Sequence, residues 1–303
     1  MPTMLREDII KKIEAKATDA DLTIIRSARF KKHPLKAFCF YLLVALNRFT
    51  PFAIPIKSQT IWGDKLQAYE TSAIGSVYFL GFYDSEVTLF LLKYFKESGD
   101  LLDVGSNIGY YTSLFTQIKV PAAKITAFEP TPSTFTVLKQ NTRHLPQVQL
   151  EQIALADSMG TVQFHDYGIQ HGVFNSSKAQ PHAFLKNVGS LIEVQTDTLD
   201  AWCEKTNTKP SLIKLDTEGT EVKILSQAGK TLANYRPIIL LEVGGGEAWK
   251  DNTTGSLDLL ASHGYQFFTL NQAGDPIPHM RQASYQYQNL VAIHHTELPK
   301  YVK

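Results

Sequence analysis

Beyond residue 85, short apolar runs alternate with segments whose apolar residues recur at helical spacing. Runs of this length, bounded by polar or turn-forming residues, predict buried strands. They are Leu101–Val104, Ile125–Phe128, Val148–Leu155, Leu191–Gln195, Leu212–Leu215, Ile238–Val243, Gln266–Leu270 and Leu290–His294. The helical spacing predicts helices at Glu86–Lys96, Ile108–Gln117, Thr131–Arg143, Leu199–Lys205, Val222–Gln227 and Leu257–His263. Such alternation is typical of an α/β protein with a mostly parallel sheet covered on both faces.

Two segments interrupt the alternation. The polar tetrapeptide starting at Asp157 has the composition of a turn, and Thr161–His165 predicts a returning strand, which suggests an inserted hairpin. A polar stretch follows, residues 166–189, and it is long enough to cover a functional site. Farther along, we expect Gly229 to end the helix Val222–Gln227.

The N-terminal 85 residues follow a different pattern. Helices are predicted at Glu7–Lys16 and Pro34–Arg48, and prolines at positions 51 and 55 then favour an irregular link. We therefore expect a helical accessory region over residues 1–85 and a catalytic domain over residues 86–303.

Composition narrows the class of protein. Of the 303 residues, 44% are hydrophobic and 19% charged, which is typical of a globular chain. The formal net charge of +1 gives no case for nucleic-acid binding. Two cysteines without CxxC spacing indicate neither a disulfide framework nor a zinc site. They favour a reducing compartment, and with no secretory signal visible we expect a cytoplasmic protein.

Charge is unevenly distributed near the N-terminus. No acid lies between Asp21 and Asp64, whereas seven lysines and arginines do. The apolar run Ala37–Leu46 lies inside this basic stretch and is too short to span a membrane. Two interpretations stay open. The run forms a helix buried against the catalytic domain, or residues 26–57 make a peripheral contact with an anionic membrane.

A glycine turn carries the main chemical signal. Asp103-Val104-Gly105-Ser106-Asn107-Ile108-Gly109 leads from an apolar strand into a helix. Gly105 and Gly109 let the backbone approach a ligand, and the helix directs its positive end towards it. Dinucleotide sites favour three glycines, because a pyrophosphate rests on the turn. Here Asp103 would oppose a pyrophosphate and favour an ammonium or sulfonium, so the pattern predicts S-adenosylmethionine rather than NAD, held by Asp103, Gly105, Asn107 and Gly109.

Two further acids are candidates for cofactor contacts. Glu129 ends the second strand about 20 residues after the glycine turn, where an acid can accept the ribose hydroxyls. Asp157 follows the third strand and is placed to meet the adenine amino group. Its alternative role is that of a turn residue in the predicted hairpin.

A charged cluster follows the fourth strand. Asp216 and Glu218 are two residues apart, so in an extended backbone both would point into the same cleft. Mutual repulsion would raise the pKa of one of them, which suits a base that takes a proton from a hydroxyl. Lys214 is a candidate ion-pair partner. In the polar loop, His171 is a further candidate base, with a solvated loop histidine as the alternative. No metal motif is visible.

Several segments together resemble one family. They are LLDVGSNIGYYT, AFEPTPSTFTVLKQN, IALADSMGTVQF and, most specifically, IKLDTEGTEVKILSQAG followed by PIILLEV. They resemble the FkbM family of S-adenosylmethionine-dependent methyltransferases over roughly residues 85–295. Ser106 and Thr217 depart from the commonest pattern in the family. The resemblance implies a Rossmann-like class I sandwich, with a seven-stranded, mostly parallel sheet and an antiparallel last strand. It also implies O-methylation of a hydroxyl on a sugar, glycan or related metabolite.

Two other functions remain as alternatives. One is an NAD-dependent oxidoreductase, which Asp103 and the missing third glycine oppose. The other is a non-catalytic membrane-docking module with a vestigial cofactor site, which the intact Asp103, Glu129 and Asp216 oppose. No residue pattern encodes the acceptor or the oligomeric state.

Overall fold

A computed structural model of the chain describes residues 5–17, 26–49, 54–69, 72–172, 175–177, 188–244 and 249–302. Its helices are α1 (Arg6–Ala17), α2 (Arg26–Lys32), α3 (Pro34–Phe49), α4 (Ser72–Leu80), α5 (Ser85–Tyr94), α6 (Tyr110–Ile118), α7 (Pro132–Thr142), α8 (Leu199–Thr206), α9 (Glu221–Ser226), α10 (Gly229–Tyr235) and α11 (Lys250–Ser262). Its strands are β1 (Ile56–Gln59), β2 (Lys65–Ala68), β3 (Asp100–Val104), β4 (Ile125–Phe128), β5 (Val148–Glu151), β6 (Ala154–Leu155), β7 (Gly160–Asp166), β8 (Ser190–Asp197), β9 (Pro210–Leu215), β10 (Ile238–Val243), β11 (Tyr265–Leu270), β12 (Pro276–Pro278) and β13 (Gln288–His294).

Eight strands of the described chain form the central sheet, in the order β12-β11-β13-β10-β9-β3-β4-β5. The five strands from β10 to β5 are parallel, and β13 runs antiparallel between β10 and β11. The predicted α/β architecture, with a mostly parallel sheet and an antiparallel last strand, is confirmed. The sheet has one strand more than predicted, because the proline-flanked β12 pairs along the edge, where proline is tolerated.

Burial on both faces explains why the central strands are continuous apolar runs. All six residues of β10 are buried, as are all four of β4. The strands are in close register, with Leu215 of β9 opposite both Val104 of β3 and Leu241 of β10. The carboxyl ends of β3, β4, β9 and β10 therefore meet at one edge, where open α/β sheets bind ligands.

A second, three-stranded sheet has the order β6-β8-β7. The prediction of one strand over Val148–Leu155 is wrong, since β5 joins the central sheet and β6 joins this one. The predicted hairpin is also wrong in its pairing. Strand β7 pairs antiparallel with β8, from Gly160 opposite Thr196 to Asp166 opposite Ser190, and not with the strand before the turn. The whole polar stretch thus separates the two paired strands.

Gly229 begins a helix and does not simply end the one before it, so that prediction is wrong. The carboxylate of Asp200, from the earlier helix α8, accepts hydrogen bonds at 2.8 Å from the backbone N–H groups of Lys230 and Thr231. These N–H groups lack partners inside the helix, so a distant acid caps α10. A cap from 30 residues away leaves no local signal in the sequence.

The described N-terminal elements pack directly on the part of the chain that carries the central sheet. Besides the two predicted helices they include α2, α4 and the β1–β2 hairpin, none of which was predicted. Ile9, Ile13 and Phe40 belong to one hydrophobic cluster together with Leu114 and Ile125 of the catalytic part. Apolar side chains from both sides of residue 85 thus share one cluster. A domain boundary near that residue stays a prediction.

One face of helix α3 packs against the protein, as expected if the apolar run forms a buried helix, since Ala37 and Phe40 are buried. In the parts of the chain that the structure describes, no helix combines the length and apolar character needed to cross a bilayer.

Candidate active site

A cavity of about 470 Å³ opens at the carboxyl edge of β3, β4, β9 and β10. Its wall contains six of the predicted site residues, namely Asp103, Gly105, Asn107, Glu129, Asp216 and Glu218. The wall does not include Gly109, Asp157 or His171. The structure therefore brings both predicted acidic groups, the one on β3 and β4 and the one after β9, to a single cavity.

The glycine turn holds two strand ends together. A Cβ on Gly105 would lie 1.8 Å from the carbonyl oxygen of Asp216, so any side chain there would push β9 away. The φ angle of Gly105 is also +82°, which disfavours other residues. Gly109 has a φ of +87° and precedes α6, and a Cβ there would lie 2.8 Å from Leu138. Gly105 thus shapes the cavity, whereas Gly109 positions the helix behind it.

Asp103 lies at the base of the cavity and is 1% exposed. The hydroxyl of Thr112, one turn into α6, donates a hydrogen bond of 2.5 Å to its carboxylate. Burial raises the pKa of Asp103 to about 6, against the opposing effect of this hydrogen bond. Near pH 7 the group is therefore an anion in a place that water does not solvate, and it would gain free energy from a cationic ligand.

Glu129 joins the ends of β4 and the glycine turn. Its carboxylate accepts hydrogen bonds from the backbone N–H of Asn107 at 3.2 Å and from the N–H of Thr131 at 3.0 Å. The hydroxyl of Thr131 donates a further bond at 2.5 Å. Burial nevertheless raises the pKa of Glu129 to about 7. Asn107, with a φ of +48°, thus serves through its backbone to orient this acid.

One side of the cavity is apolar. It is formed by Phe128, Ile153, Leu155 and Phe164. The ring of Phe128 is held in an edge contact with Trp202, with ring centroids 4.8 Å apart. This side suits a flat heterocycle, since ligand sites combine apolar walls with a few polar groups.

Asp157 lies away from this wall. Its carboxylate is half-exposed and lies 3.5 Å from the ammonium of Lys223 on α9. It follows the short strand β6, which belongs to the three-stranded sheet and not to the central one. An adenine contact for Asp157 stays a prediction, and the observed geometry is that of a residue in the turn.

An ammonium–carboxylate pair forms the opposite side. Lys214 is 2% exposed, and its Nζ lies 2.8 Å from Oδ2 of Asp216, as the sequence suggested. The same Nζ lies 4.5 Å from the centroid of the Tyr111 ring. Burial alone would raise the pKa of Asp216, but the charge of Lys214 holds it below its usual value. Asp216 is therefore the ionised member of the cluster at neutral pH.

Glu242 completes the cluster and was not predicted. It is the penultimate residue of β10 and 6% exposed. Burial, then the charge of Asp216, raise its pKa well above the usual value. An acid inside the apolar run of β10 was the signal in the sequence. Its meaning depended on β10 lying beside β9, which the sequence does not show.

The backbone at Glu218 differs from the extended conformation that the sequence argument assumed. Strand β9 ends at Leu215, and Glu218 has a φ of +56°, so the extended-backbone argument for its direction is wrong. It nevertheless lines the cavity. Burial first, then the charges of Asp216 and Glu221, raise the pKa of Glu218 to about 9.

Among the described residues, Asp216, Glu218 and Glu242 form the group with metal-ligand potential, since their carboxylate oxygens lie within 4.8 Å of one another. The ammonium of Lys214 already supplies a positive charge beside Asp216. The cluster thus combines one anion, one cation and two carboxyls with raised pKa values.

Glu221, the first residue of α9, supports the loop beneath this cluster. Its carboxylate accepts hydrogen bonds from the N–H of Thr217 at 2.8 Å and from its hydroxyl at 2.9 Å. The side-chain amide of Asn252 on α11 donates another at 2.5 Å. Glu221 therefore fixes the backbone between Asp216 and Glu218.

Aromatic residues from distant segments form the outer wall, namely Tyr83, Tyr110, Tyr111, Trp249 and Tyr287. The hydroxyl of Tyr111 donates a hydrogen bond of 2.7 Å to Asp84. Asn289 of β13 donates to the same carboxylate at 3.1 Å. The N-terminal region and the last strand thus contribute to a site that the sequence located only in the central segments.

The described part of the polar loop is anchored at the cavity. The amide of Asn175, which lies in the wall, donates to the hydroxyls of Thr131 at 3.0 Å and Thr134 at 3.1 Å. The hydroxyl of Ser176 donates to the carbonyl of Glu218 at 3.1 Å. His171 is partly buried, which lowers its pKa, and it lies beside the wall residue Gly172. A catalytic role for His171 stays a prediction.

The family model and the relatives that match this chain are all described as methyltransferases. A family model described as the methyltransferase FkbM domain matches residues 103–267. The chain is 28% identical over 146 residues to the 2-O-methyltransferase NoeI of Sinorhizobium fredii, covering 45% of this chain and 60% of that protein. It is 26% identical over 171 residues to the hexuronic acid methyltransferase AglP of Haloferax volcanii, covering 56% of this chain and 66% of that protein.

Among solved structures, the chain is similar to a methyltransferase FkbM from Methylobacillus flagellatus, with a TM-score of 0.41 and 12% identity. That match covers 65% of this chain and 44% of the other. The chain thus spans about three fifths to two thirds of the length of the curated relatives and less than half of this crystallised one.

Proposed function

We propose that this chain, which belongs to the FkbM methyltransferase domain family, is an S-adenosylmethionine-dependent O-methyltransferase. The proposed acceptor is a hydroxyl of a sugar, glycan or related metabolite. The observation that carries the proposal is the pairing of buried Asp103 and Glu129, on adjacent parallel strands, with the Asp216 cluster across one cavity. The names of the relatives NoeI and AglP support O-methylation and a sugar acid.

The cavity residues fit the proposed cofactor. Asp103 is a buried anion suited to an ammonium, and the helix start after the glycine turn suits a carboxylate. Glu129 keeps about one acceptor position for a ribose hydroxyl, because a carboxylate accepts about four hydrogen bonds and Asn107 and Thr131 donate three. The apolar side, with Phe128 and Leu155, suits an adenine ring. When bound, S-adenosylmethionine supplies an activated methyl group on a positively charged sulfur.

The Asp216 cluster supplies the acid–base chemistry. Glu218, with a pKa of about 9, is a stronger base when ionised than an ordinary glutamate, and we assign to it the proton of the acceptor hydroxyl. Lys214 keeps Asp216 ionised, and Asp216 then accepts a hydrogen bond from the acceptor and orients it. Trp249 and Tyr287 offer flat apolar faces to a sugar ring at the outer wall. Alignment of the reacting groups contributes roughly 7–11 kcal/mol in such reactions.

Neither alternative gains support from these observations. A pyrophosphate would meet the buried carboxylates of Asp103 and Glu129, which opposes an NAD-dependent oxidoreductase. A vestigial site has no need to keep Asp216 and Glu242 together at the cavity wall, with Lys214 paired to Asp216 behind it.

Transfer of a labelled methyl group tests the proposal. The protein is incubated with methyl-labelled S-adenosylmethionine and a panel of acceptors that contains neutral sugars, uronic acids and glycolipid extracts. With cofactor below its Kd, we expect label in a sugar fraction with the unaltered protein and at least about tenfold less with Asp103→Asn. The surface variant Asp258→Asn is the matched control and should label fully. Label that enters no acceptor, with cofactor bound, would contradict an active transferase.

A further inference from the structure

Helix α3 presents an apolar stripe to solvent. Leu35, Phe38 and Leu42 are 75%, 58% and 47% exposed. Their spacing of three and four residues places them on one face of the helix. Exposed apolar side chains that are scattered singly need no explanation, but a contiguous stripe marks an interaction surface.

The other face of α3 is fixed to the protein. Ala37 and Phe40 are buried, and the ring of Phe40 lies 5.3 Å from that of Phe79 on α4 in an edge contact. The guanidinium of Arg29 on α2 lies over the same two rings, at 5.6 and 4.9 Å from their centroids. The stripe is therefore carried on an anchored helix and not on a detached tail.

The surroundings of the stripe are basic. Lys31 and Lys32 are exposed at the end of α2, directly before α3. The segment that carries α2 and α3 has no acid between Asp21 and Asp64. Lys36 lies on the other side of α3, the side of buried Phe40, because its Nζ is 5.0 Å from the centroid of the Tyr78 ring on α4. It borders a separate groove whose charged lining comprises Lys12, Lys16, Lys36, Lys57, Lys65, Arg143 and Asp64.

We propose that this surface, formed by the α3 stripe together with the exposed Lys31 and Lys32, docks the protein on an anionic phospholipid bilayer. The stripe would enter the interface between headgroups and acyl chains, and the two lysines would contact the headgroups. Helix α3 has 16 residues, fewer than a span requires, so the contact is peripheral.

Vesicle co-sedimentation of the full chain tests the docking surface. The probes are vesicles of phosphatidylcholine alone and of phosphatidylcholine mixed with phosphatidylglycerol. We expect binding to the mixed vesicles that weakens as salt is raised, and little binding to the neutral ones. The triple variant Leu35→Gln/Phe38→Gln/Leu42→Gln should bind mixed vesicles at least tenfold more weakly. These side chains are exposed, so the variant should keep its melting temperature.

The matched control removes apolar side chains that lie elsewhere. Met280 and Leu191 are 86% and 57% exposed, and Met280→Gln/Leu191→Gln should bind like the unaltered chain. Equal binding to both vesicles, no binding, or full binding by the triple variant would overturn the proposal. So would a shift of the unaltered chain to a dimer that the triple variant abolishes. Cofactor affinity in the same samples reports separately on the proposed function.

Discussion

Two buried carboxyl groups, those of Asp103 and Glu129, titrate close to neutral pH, and both face the same cavity. Burial opposes their charge, while hydrogen bonds from Thr112 and Thr131 partly restore it. A cationic ligand would favour the ionised forms still further. At the scale of single residues, cofactor binding and protonation are therefore expected to compete.

The first prediction concerns cofactor affinity. Protonated Asp103, with a pKa of about 6, cannot pair with an ammonium, and protonated Glu129, with a pKa of about 7, is a weaker acceptor for ribose hydroxyls, so the Kd for S-adenosylmethionine should fall as the pH rises from 5.5 to 8. The expected decrease is roughly tenfold or more, since each pH unit below a pKa costs about 1.4 kcal/mol. Calorimetry should detect proton release on binding. An affinity that is constant or falls over this range would contradict the roles of both acids.

The second prediction concerns the ligand-free protein. The pKa of Asp103 is about 6 in the fold against 3.8 in a model compound, so the folded state binds the proton more tightly. Its contribution to stability is then complete below pH 4 and is lost as the pH rises past 6. Asp103→Asn stays neutral and should unfold at higher urea concentration than the unaltered chain at pH 8. The expected gain is on the order of 3 kcal/mol.

The same urea titrations at pH 4 serve as the control for this effect. There the difference between the two proteins should fall to well under about 1 kcal/mol, because Asp103 is protonated in the folded state and about half protonated in the unfolded state. A variant that is less stable at pH 8 would show that the carboxylate is not the destabilising group inferred here.

The third prediction concerns the base. With a pKa of about 9 for Glu218, kcat/KM for the methyl donor should rise with pH towards 9, because this ratio reports the free enzyme. Glu218→Gln should lower turnover by roughly 10²- to 10⁴-fold and remove the part of the rise above pH 8, while the part below pH 8 that comes from Asp103 and Glu129 remains. The exposed Glu204, paired with Lys230, provides the control Glu204→Gln. A variant at Glu218 with unchanged turnover and an unchanged pH profile would remove this residue from the reaction.

A site residue could be predicted where the sequence around one strand end was enough to identify it. Asp103 lies near the end of β3 and Glu129 directly follows β4, so their places in the cavity could be inferred. Glu242 and Tyr111 gain their meaning from neighbours on other strands and helices, which is information about topology. Asp157 was placed at the edge on the assumption of a continuous third strand. That strand divides in two, and Asp157 moves with the smaller sheet.

At the scale of elements, burial decided what could be predicted. Both ends of β4 and β10 were predicted correctly, because strands buried on both faces are continuous apolar runs. Strands β1 and β2 alternate between buried and exposed residues over only four positions, too few to give a clear period. The pairing of β7 with β8 depends on contacts across the intervening loop and has no local signature.

The close contact of the glycine turn with β9 gives the fourth prediction. Gly105→Ala places a Cβ 1.8 Å from the carbonyl of Asp216, so it should destabilise the fold and eliminate cofactor binding. Gly63→Ala is the matched control, since Gly63 also has a positive φ but meets nothing within 4 Å. It should cost only about 1–2 kcal/mol, the penalty for the backbone conformation. Urea unfolding of both variants measures the difference, and equal losses would contradict the contact.

At the scale of the whole molecule, the described N-terminal elements share a hydrophobic cluster with the central sheet. The side chain of Asn141 on α7 donates at 2.9 Å to the carbonyl of Gln67 and at 2.8 Å to that of Ile108. It therefore connects the β1–β2 hairpin with the glycine turn. Tyr83, from the end of the same region, lines the cavity, and Asp84 accepts a hydrogen bond from the wall residue Tyr111. An accessory region was predicted from composition, but its direct contribution to the site required the packing of side chains.

The central claim is that acids at the ends of adjacent parallel strands select a cationic methyl donor. Calorimetric titration of the full chain with S-adenosylmethionine and, separately, with NAD tests it most directly. We expect saturable binding of S-adenosylmethionine alone, weakened roughly 10- to 100-fold by Asp103→Asn, because a charged hydrogen bond is worth about 1.5–3 kcal/mol. Binding of NAD, or equal affinity of the variant for S-adenosylmethionine, would contradict the account.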